Sequence, residues 1–194
     1  MARKHAVLSA SSAARWIACP PSARLNAEQS DMPSEYAAQG TDAHTLCEYK
    51  LRKALGERVR DPTKHLTSYD TEMEECAEAY CQFVMELVGR FRDESKDTMV
   101  SVEQRVDFSA FVPDGFGTAD TLIISGKKVC IVDYKHGKGI EVSADHNPQM
   151  MCYALGCVQM FDGLYDIDNV RMVIFQPRLG NISEFTIGPT TQPW

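Results

Sequence analysis

The stretch that determines the fold is ADTLIISGKKVCIVDYK, residues 119–135. Two apolar runs flank a Ser-Gly-Lys turn, which is the pattern of a tight β-hairpin. It predicts antiparallel strands at Ala119–Ser125 and Lys128–Tyr134. Asp120 and Asp133 lie at the open end of this hairpin, so antiparallel pairing should bring the two carboxylates together.

The segments around the hairpin predict further strands and a helix. Met99–Phe108 has the period of a strand and extends the hairpin into a three-stranded meander. Asn147-Pro148 opens a helix that continues to about Phe161, because proline suits the first helical turn. Two strands follow, Val170–Gln176 and Ile182–Ile187. This order predicts an α/β fold in which helices flank a mixed central sheet.

The first 97 residues are expected to be mainly helical. A short helix is predicted from Ala14 to Ala18, and the prolines at positions 20 and 21 should end it. Longer helices are predicted over Ala37–Leu55 and from an Asp70 or Thr71 cap to Arg92. Both long segments carry apolar residues at spacings of three and four, which is the signature of a helix with one buried face.

These elements are expected to form a single domain over residues 1–194, because the chain is too short for two full cores. Residues 1–97 form its helical part, and residues 98–188 form the sheet with its following helix. Beyond residue 188 the chain is polar and ends on Trp194 without a closing element. This pattern predicts either a truncated C-terminus that lacks a further helix or a loose natural end.

Composition restricts the class of protein. The chain is 44% hydrophobic and 24% charged, as in a folded domain. Its apolar runs are far shorter than the ~20 residues that cross a bilayer, and no signal peptide is evident, so we expect a cytoplasmic protein without a membrane partner. Seven cysteines occur without a CxxC pair, which predicts reduced thiols in the core.

The negative charge is concentrated in one segment. The net charge is −7, and residues 61–97 alone contain ten acidic and four basic residues, so the remainder of the chain sums to −1. A solvated helix face explains the acidic segment. Six basic residues of the sheet half would then be free to form a phosphate-binding groove or an ordinary solvated surface: Lys127, Lys128, Lys135, Lys138, Arg171 and Arg178.

The end of the second hairpin strand is the main candidate for chemistry. Asp133 and Lys135 are two residues apart on a predicted strand, so both side chains point to the same face. With Asp120 beside them, two carboxylates at one sheet end form a site suited to Mg²⁺ or Mn²⁺. The alternative is a surface salt bridge at the end of a strand.

Two helices offer polar side chains to the same region. Gln149 and Tyr153 are four residues apart on one helix, and His44 and Glu48 are four apart within the apolar stripe of another. A buried histidine is commonly a structural core residue, and Glu48 would then be its hydrogen-bond partner. Two inward-facing polar residues on one turn also fit a functional site.

Four motifs occur in an order that resembles the RecB-like exonucleases of the PD-(D/E)XK nuclease superfamily. They are Gly40-Thr41-x-x-His44-x-x-x-Glu48, Gly117-Thr118-Ala119-Asp120, Asp133-Tyr134-Lys135 and Gln149-x-x-x-Tyr153. Two further motifs look like those of a phage-borne subgroup, Arg15-Trp16-x-x-Cys19-Pro20 and Gly137-x-Gly139. The resemblance implies a restriction-endonuclease-like αβββαβ core with extra N-terminal helices.

The resemblance also implies roles for individual residues. Asp120, Asp133 and the backbone carbonyl of Tyr134 would bind one or two Mg²⁺ or Mn²⁺ ions, with His44 close to the metal. Lys135 would position the attacking water or help to deprotonate it. The remaining residues of the expected site support it or contact DNA: Glu48, Lys138, Gln149, Tyr153 and Arg178. No iron–sulfur cluster is expected, because the clustered late cysteines that hold one in some relatives are missing.

The expected function is that of a metal-dependent DNA exonuclease acting in phage recombination or repair, with DNA and either a second copy or a phage recombination protein as partners. The motifs do not distinguish it from an endonuclease of the same superfamily. A DNA-binding or assembly module without catalytic activity is a further alternative. So is an unrelated α/β domain in which the motif residues coincide by chance.

Overall fold

The computed structural model describes residues 6–27 and 34–188. Its α-helices are α1 (Ala13–Ala18), α2 (Pro21–Ala27), α3 (Glu35–Ala54), α4 (Thr71–Glu94) and α5 (Pro148–Met160). Its strands are β1 (Met99–Asp107), β2 (Phe116–Ser125), β3 (Lys128–Tyr134), β4 (Asn169–Gln176) and β5 (Asn181–Ile187). Short 3₁₀ turns occupy Ala10–Ser12, Thr63–His65 and Pro177–Leu179.

The strands form one five-stranded sheet in the order β1-β2-β3-β4-β5. Neighbouring strands are antiparallel except β3 and β4, which are parallel. A parallel pair needs a crossover connection, and α5 lies in that connection. The predicted α/β class with a mixed sheet flanked by helices is therefore confirmed, and the arrangement is compatible with an αβββαβ core.

Apolar side chains cover both faces of the sheet. On one face, α3 and α4 pack through residues such as Leu46, Tyr80 and Val84 against the inward residues of β3 and β4. On the other, α5 and the N-terminal turn pack through residues such as Met150 and Ala10. Because each helix layer buries its own side of the sheet, the polar site must lie at an end of the strands, where the layers part.

Helix starts follow the capping residues. Asp70 accepts a hydrogen bond from the backbone nitrogen of Met73 at 2.7 Å, and Asn147 accepts one from that of Gln149 at 3.1 Å. These side chains satisfy backbone donors that the first helical turn leaves free. The prolines at 20 and 21 do more than end α1, since Pro21 also begins α2. Proline is tolerated there because a first-turn N–H has no helical acceptor.

Six of the seven cysteines are buried, as expected for core thiols, and Cys19 is exposed. Within the described ranges, no helix combines the length and the apolar character needed to cross a membrane. The predicted loose end or missing helix after residue 188 concerns residues 189–194, which lie outside the described residues.

Candidate active site

The site lies in a fork between β2 and β3. Their antiparallel pairing ends at Thr121 and Val132, after which β2 pairs only with β1 and β3 pairs only with β4. The backbone nitrogen of Tyr134 therefore has no main-chain acceptor on β2, and it donates instead to the side chain of Asp120, at Oδ2, over 2.7 Å. Strand separation thus creates a crevice, and the Asp120 side chain is fixed in it.

On β1, the residue opposite Asp120 is Glu103. The flanking pairs Val102–Thr121 and Gln104–Ala119 define this register. Glu103 has a positive φ of 52°, which is uncommon for a residue with a side chain. Val102 belongs to the core beneath α3 and α4, and Val106 belongs to the core beneath α5. In a regular strand, Val102 and Val106 would face the same side of the sheet. The left-handed residue Glu103 between them reverses the alternation of side chains, so that the two valines face opposite sides.

His44 extends from α3 to Asp120. Its Nδ1 lies 2.9 Å from Asp120 Oδ1, and its ring meets Tyr134 edge-on with a centroid separation of 5.5 Å. Burial alone would lower the pKa of His44, but the charge of Asp120 and the hydrogen bond to it raise that pKa to about 9. The side chain is 36% exposed, so His44 is a pocket residue and not a core residue.

Glu48, one helical turn further along α3, is not the partner of His44. It accepts a hydrogen bond from Arg52 Nε at 2.8 Å, and Arg52 also donates to the carbonyl oxygen of Val102 at 2.8 Å. Glu48 lines the pocket with its charge compensated by this arginine. The interpretation of a core histidine bonded to Glu48 is therefore wrong.

Asp133, Lys135 and Gln149 form a connected set. Gln149 donates from Nε2 to Asp133 Oδ1 at 2.8 Å and accepts from Lys135 Nζ at 2.9 Å. Lys135 Nζ is also 2.8 Å from Asp133 Oδ2, at an angle unsuited to a hydrogen bond, so that buried oxygen has an ion pair but no hydrogen bond. Gln149 therefore holds both the acid and the lysine in place.

The pKa values of both Asp133 and Lys135 are raised above their ordinary values. Burial raises the pKa of Asp133, and the charge of Asp120 adds to the increase while Lys135 opposes it. Burial would lower the pKa of Lys135, but the nearby carboxylate of Asp133 outweighs burial and raises it. Lys135 is therefore an ammonium ion at neutral pH.

Tyr153 completes the α5 side of the site. Its hydroxyl donates to the carbonyl oxygen of Thr118 at 2.7 Å and accepts from Gln149 Nε2 at 3.3 Å. The tyrosine ring lies against Gly117, where an added Cβ would be 2.9 Å from Tyr153 Cε1 and 3.0 Å from the Cβ of Ala10. Glycine is required here because the ring and the N-terminal turn approach the backbone so closely.

The N-terminal turn forms a wall of the same pocket. Ser9 and Ser11 line it, and the indole nitrogen of Trp16 donates to the carbonyl oxygen of Ser9 at 3.0 Å. Trp16 of the Arg15-Trp16 motif therefore has a structural role in shaping this wall.

The pocket has a volume of about 690 Å³. It brings together most of the side chains expected from the sequence, namely His44, Glu48, Asp120, Asp133, Lys135, Gln149 and Tyr153. Tyr134 contributes its backbone nitrogen, while the role of its carbonyl stays a prediction. Four carboxylates face the pocket against one lysine and one histidine, so the open site is predominantly acidic.

Sequence reasoning missed Glu103. One side-chain atom each from His44, Glu103 and Asp120 lie within 4.8 Å of one another, a spacing that suits metal binding. Burial and the charge of Asp120 raise the pKa of Glu103 to about 7, with His44 opposing. Glu103 stands in a polar run with Gln104 and Arg105, so its residue type did not mark it, and strand periodicity did not indicate the left-handed backbone.

Two expected DNA contacts lie elsewhere. Lys138 Nζ is 2.8 Å from Glu72 Oε1, and Arg178 Nη2 donates to Glu72 Oε2 at 2.8 Å. Neither basic residue lines the pocket. Lys138 and Arg178 thus lie outside the pocket, paired with Glu72 of α4, and their contact with DNA stays a prediction.

A phosphate-binding groove is one of the two expectations for the six basic residues of the sheet half. All six of its residues make ion pairs with carboxylates. Lys127 and Lys128 lie at the hairpin turn, at the opposite end of β3 from Asp133. Only Lys135 of this set lies in the pocket. Because their charges are paired within the protein, an ordinary solvated surface is favoured over a groove.

Two comparisons, one with protein families and one with solved structures, found proteins similar to this chain. The sequence profile of a family described as "Protein of unknown function (DUF2800)" matches residues 5–192. A solved structure described as "Crystal structure of SSO0001" is 15% identical to the chain and covers 79% of it and 81% of the other chain. Its TM-score of 0.25 is too low to support an argument about the fold.

Proposed function

The chain belongs to the DUF2800 family, whose function is unknown, and we propose that it is a metal-dependent deoxyribonuclease of the PD-(D/E)XK type. The observation that carries the proposal is the fork between β2 and β3. There Asp120, Asp133 and Lys135 line one pocket, with His44 bonded to the first of them.

The chemistry of the pocket fits a divalent cation. Carboxylate oxygens are the ligands that Mg²⁺ and Mn²⁺ prefer, and imidazole also suits first-row transition metals. Asp133 Oδ2 is buried and faces the Lys135 ammonium at 2.8 Å, an ion pair that keeps the carboxylate charged for a metal. His44, Asp120 and Asp133 would hold the ion, and its binding would displace the proton that the raised pKa leaves on His44. A bound cation would polarise a phosphodiester oxygen and make a nearby water more acidic.

Lys135 is proposed to orient the attacking water and to stabilise the charge that develops on the phosphate. Its ion pair with Asp133 keeps it protonated, so it acts as a hydrogen-bond donor and not as a base. Gln149 fixes the direction of the ammonium group through a 2.9 Å hydrogen bond. Preorganised donors of this kind stabilise transition states because they need not reorient during the reaction.

The phosphate backbone is proposed to enter past Arg105. Its guanidinium stacks over the Phe116 ring at 3.6 Å, and Phe116 lines the main pocket. A neighbouring pocket of about 440 Å³ is lined by Arg105 and Phe116 and also shares Ala6 with the main one. Among the described residues, Arg105 has no carboxylate at ion-pair distance, so it is available for a phosphate.

Exonuclease activity in phage recombination or repair, in the cytoplasm of a bacterial host, is the specific form of the proposal. It is supported by the ordered motifs of the sequence. A second copy or a recombination protein as partner belongs to the same proposal.

The test compares end-labelled linear DNA with closed circular DNA, in Mn²⁺, Mg²⁺ or EDTA. Wild type should degrade only the linear substrate, and only with metal. Lys135→Met should reduce the rate by about 10²-fold or more, as the loss of one preorganised hydrogen-bond donor does. Lys127→Met is the matched control, because Lys127 is paired with Asp166 at the far end of the sheet. It should retain the wild-type rate.

Other results would change the assignment. Metal-dependent cleavage of circular DNA would identify an endonuclease. A folded protein that binds DNA but cleaves neither substrate with either metal would overturn the nuclease proposal in favour of a binding module.

A further inference from the structure

We propose that Glu103 is a direct ligand of the divalent cation, which it binds together with His44 and Asp120. The inference deepens the proposed function by adding a ligand that none of the sequence motifs contains. It concerns cation binding, so it can be tested without DNA cleavage.

Distance is the first argument. The ligand atoms of His44, Glu103 and Asp120 all lie within 4.8 Å of one another. Two ligands of one cation at metal–ligand distances of about 2.1–2.4 Å are separated by at most about 4.2–4.8 Å. One ion between the three side chains therefore requires little movement of the protein.

Charge is the second argument. Glu103 and Asp120 face each other across the β1–β2 ladder, and like charges in this position are destabilising. Asp120 is bonded to His44 and to the backbone of Tyr134, whereas Glu103 makes no hydrogen bond or ion pair with any described residue. The charges of His44 and Arg52 oppose this repulsion without a hydrogen bond or ion pair to Glu103, and a divalent cation bound to Glu103 would oppose it directly.

An independent observation comes from the other strand of the fork. Asp133 has a side chain that is only 4% exposed, and its Oδ2 has no hydrogen bond. Lys135 faces this oxygen and Gln149 binds the other one. Lys135 therefore compensates the charge of Asp133. His44 is left to compensate the charges of Glu103 and Asp120.

Glu48 provides a matched control. It lines the same pocket, but Arg52 neutralises it through a 2.8 Å hydrogen bond. The two glutamates thus share one pocket and differ in whether their charge is compensated. Glu103 should therefore affect cation affinity more than Glu48 does.

The experiment measures Mn²⁺ binding to the full chain by calorimetry at neutral pH without DNA. Glu103→Gln should raise the Kd for Mn²⁺ by about tenfold or more. Even residues that contact only the ligands of a metal, and not the metal, contribute that much to its affinity. Glu48→Gln should change the Kd by less than Glu103→Gln does, because Arg52 pairs with the Glu48 carboxylate. Glu103→Asp keeps the charge but shortens the side chain, so it should also weaken binding, which supplies a second variant if Glu103→Gln does not fold.

The outcomes separate this inference from the nuclease proposal. Wild-type affinity in Glu103→Gln or Glu103→Asp would overturn the role of Glu103, even if the protein cleaves DNA. Absence of Mn²⁺ binding by the wild type would overturn it as well. Binding that depends on Glu103, in a protein that cleaves no DNA, would support the cation site and refute the nuclease.

Discussion

Gly156 allows α5 to pack close to β1, and replacing it with alanine should destabilise the protein. An added Cβ would lie 2.5 Å from Val106 Cγ1 and 2.7 Å from the carbonyl oxygen of Asp107. Because α5 also carries Gln149 and Tyr153, this close approach sets how deeply both side chains enter the pocket. The substitution therefore tests the packing that positions one side of the site.

The magnitude follows from a comparison with Gly89 in α4, where an added Cβ would meet nothing within 4 Å. Alanine improves helix propensity by up to about 1 kcal/mol at either position. At Gly156 the overlap involves a backbone oxygen, so relief requires movement of the helix, and overpacking of this kind typically costs about 1–3 kcal/mol. The difference between the two variants isolates the overpacking cost.

The assay is urea unfolding of wild type, Gly156→Ala and Gly89→Ala without added metal. Gly89→Ala should equal or exceed the wild-type free energy of unfolding. Gly156→Ala should fall below the wild type and lie about 1–3 kcal/mol below Gly89→Ala. In a chain of this size each kcal/mol corresponds to about 2–4 °C in Tm. Equal stability of the two variants would refute the close packing of α5 on β1.

Two further substitutions test the proposed DNA contact and an ion-pair network. Arg105→Ala should weaken DNA binding and reduce the slope of log affinity against log salt concentration by about 1. The cleavage rate at saturating DNA should not change. An unchanged slope would remove Arg105 from the DNA interface. Hydrogen bonds from Lys138 and Arg178 lower the pKa of Glu72 from its ordinary 4.5 to about 2. Its ionised form therefore stabilises the fold above pH 4.5, and this contribution is lost as the pH falls towards 2. Thermal unfolding of wild type and Glu72→Gln should differ at pH 7 and converge near pH 2, and identical curves at pH 7 would contradict the argument.

Strong local patterns predicted most of the elements. The observed β3 has the predicted bounds, and α4 begins after its Asp70 cap. By contrast, β2 begins at Phe116, three residues before its predicted start. Phe116 pairs with Asp107 of β1, and that ladder contains Gly117, a residue of low strand propensity. Propensity underestimated the strand because distant backbone hydrogen bonds stabilise it.

Residue type and period alone identified Asp120, Asp133 and Lys135 as candidates, because a period of two and a tight turn are local properties of the chain. Only the tertiary structure placed Glu103 opposite Asp120, since a single left-handed residue reverses the side-chain alternation of β1. The tertiary structure likewise decided which basic side chains are already paired with a carboxylate. Glu72 binds basic residues 66 and 106 positions away, and pairs so distant in sequence depend on how the layers pack, which no local pattern encodes.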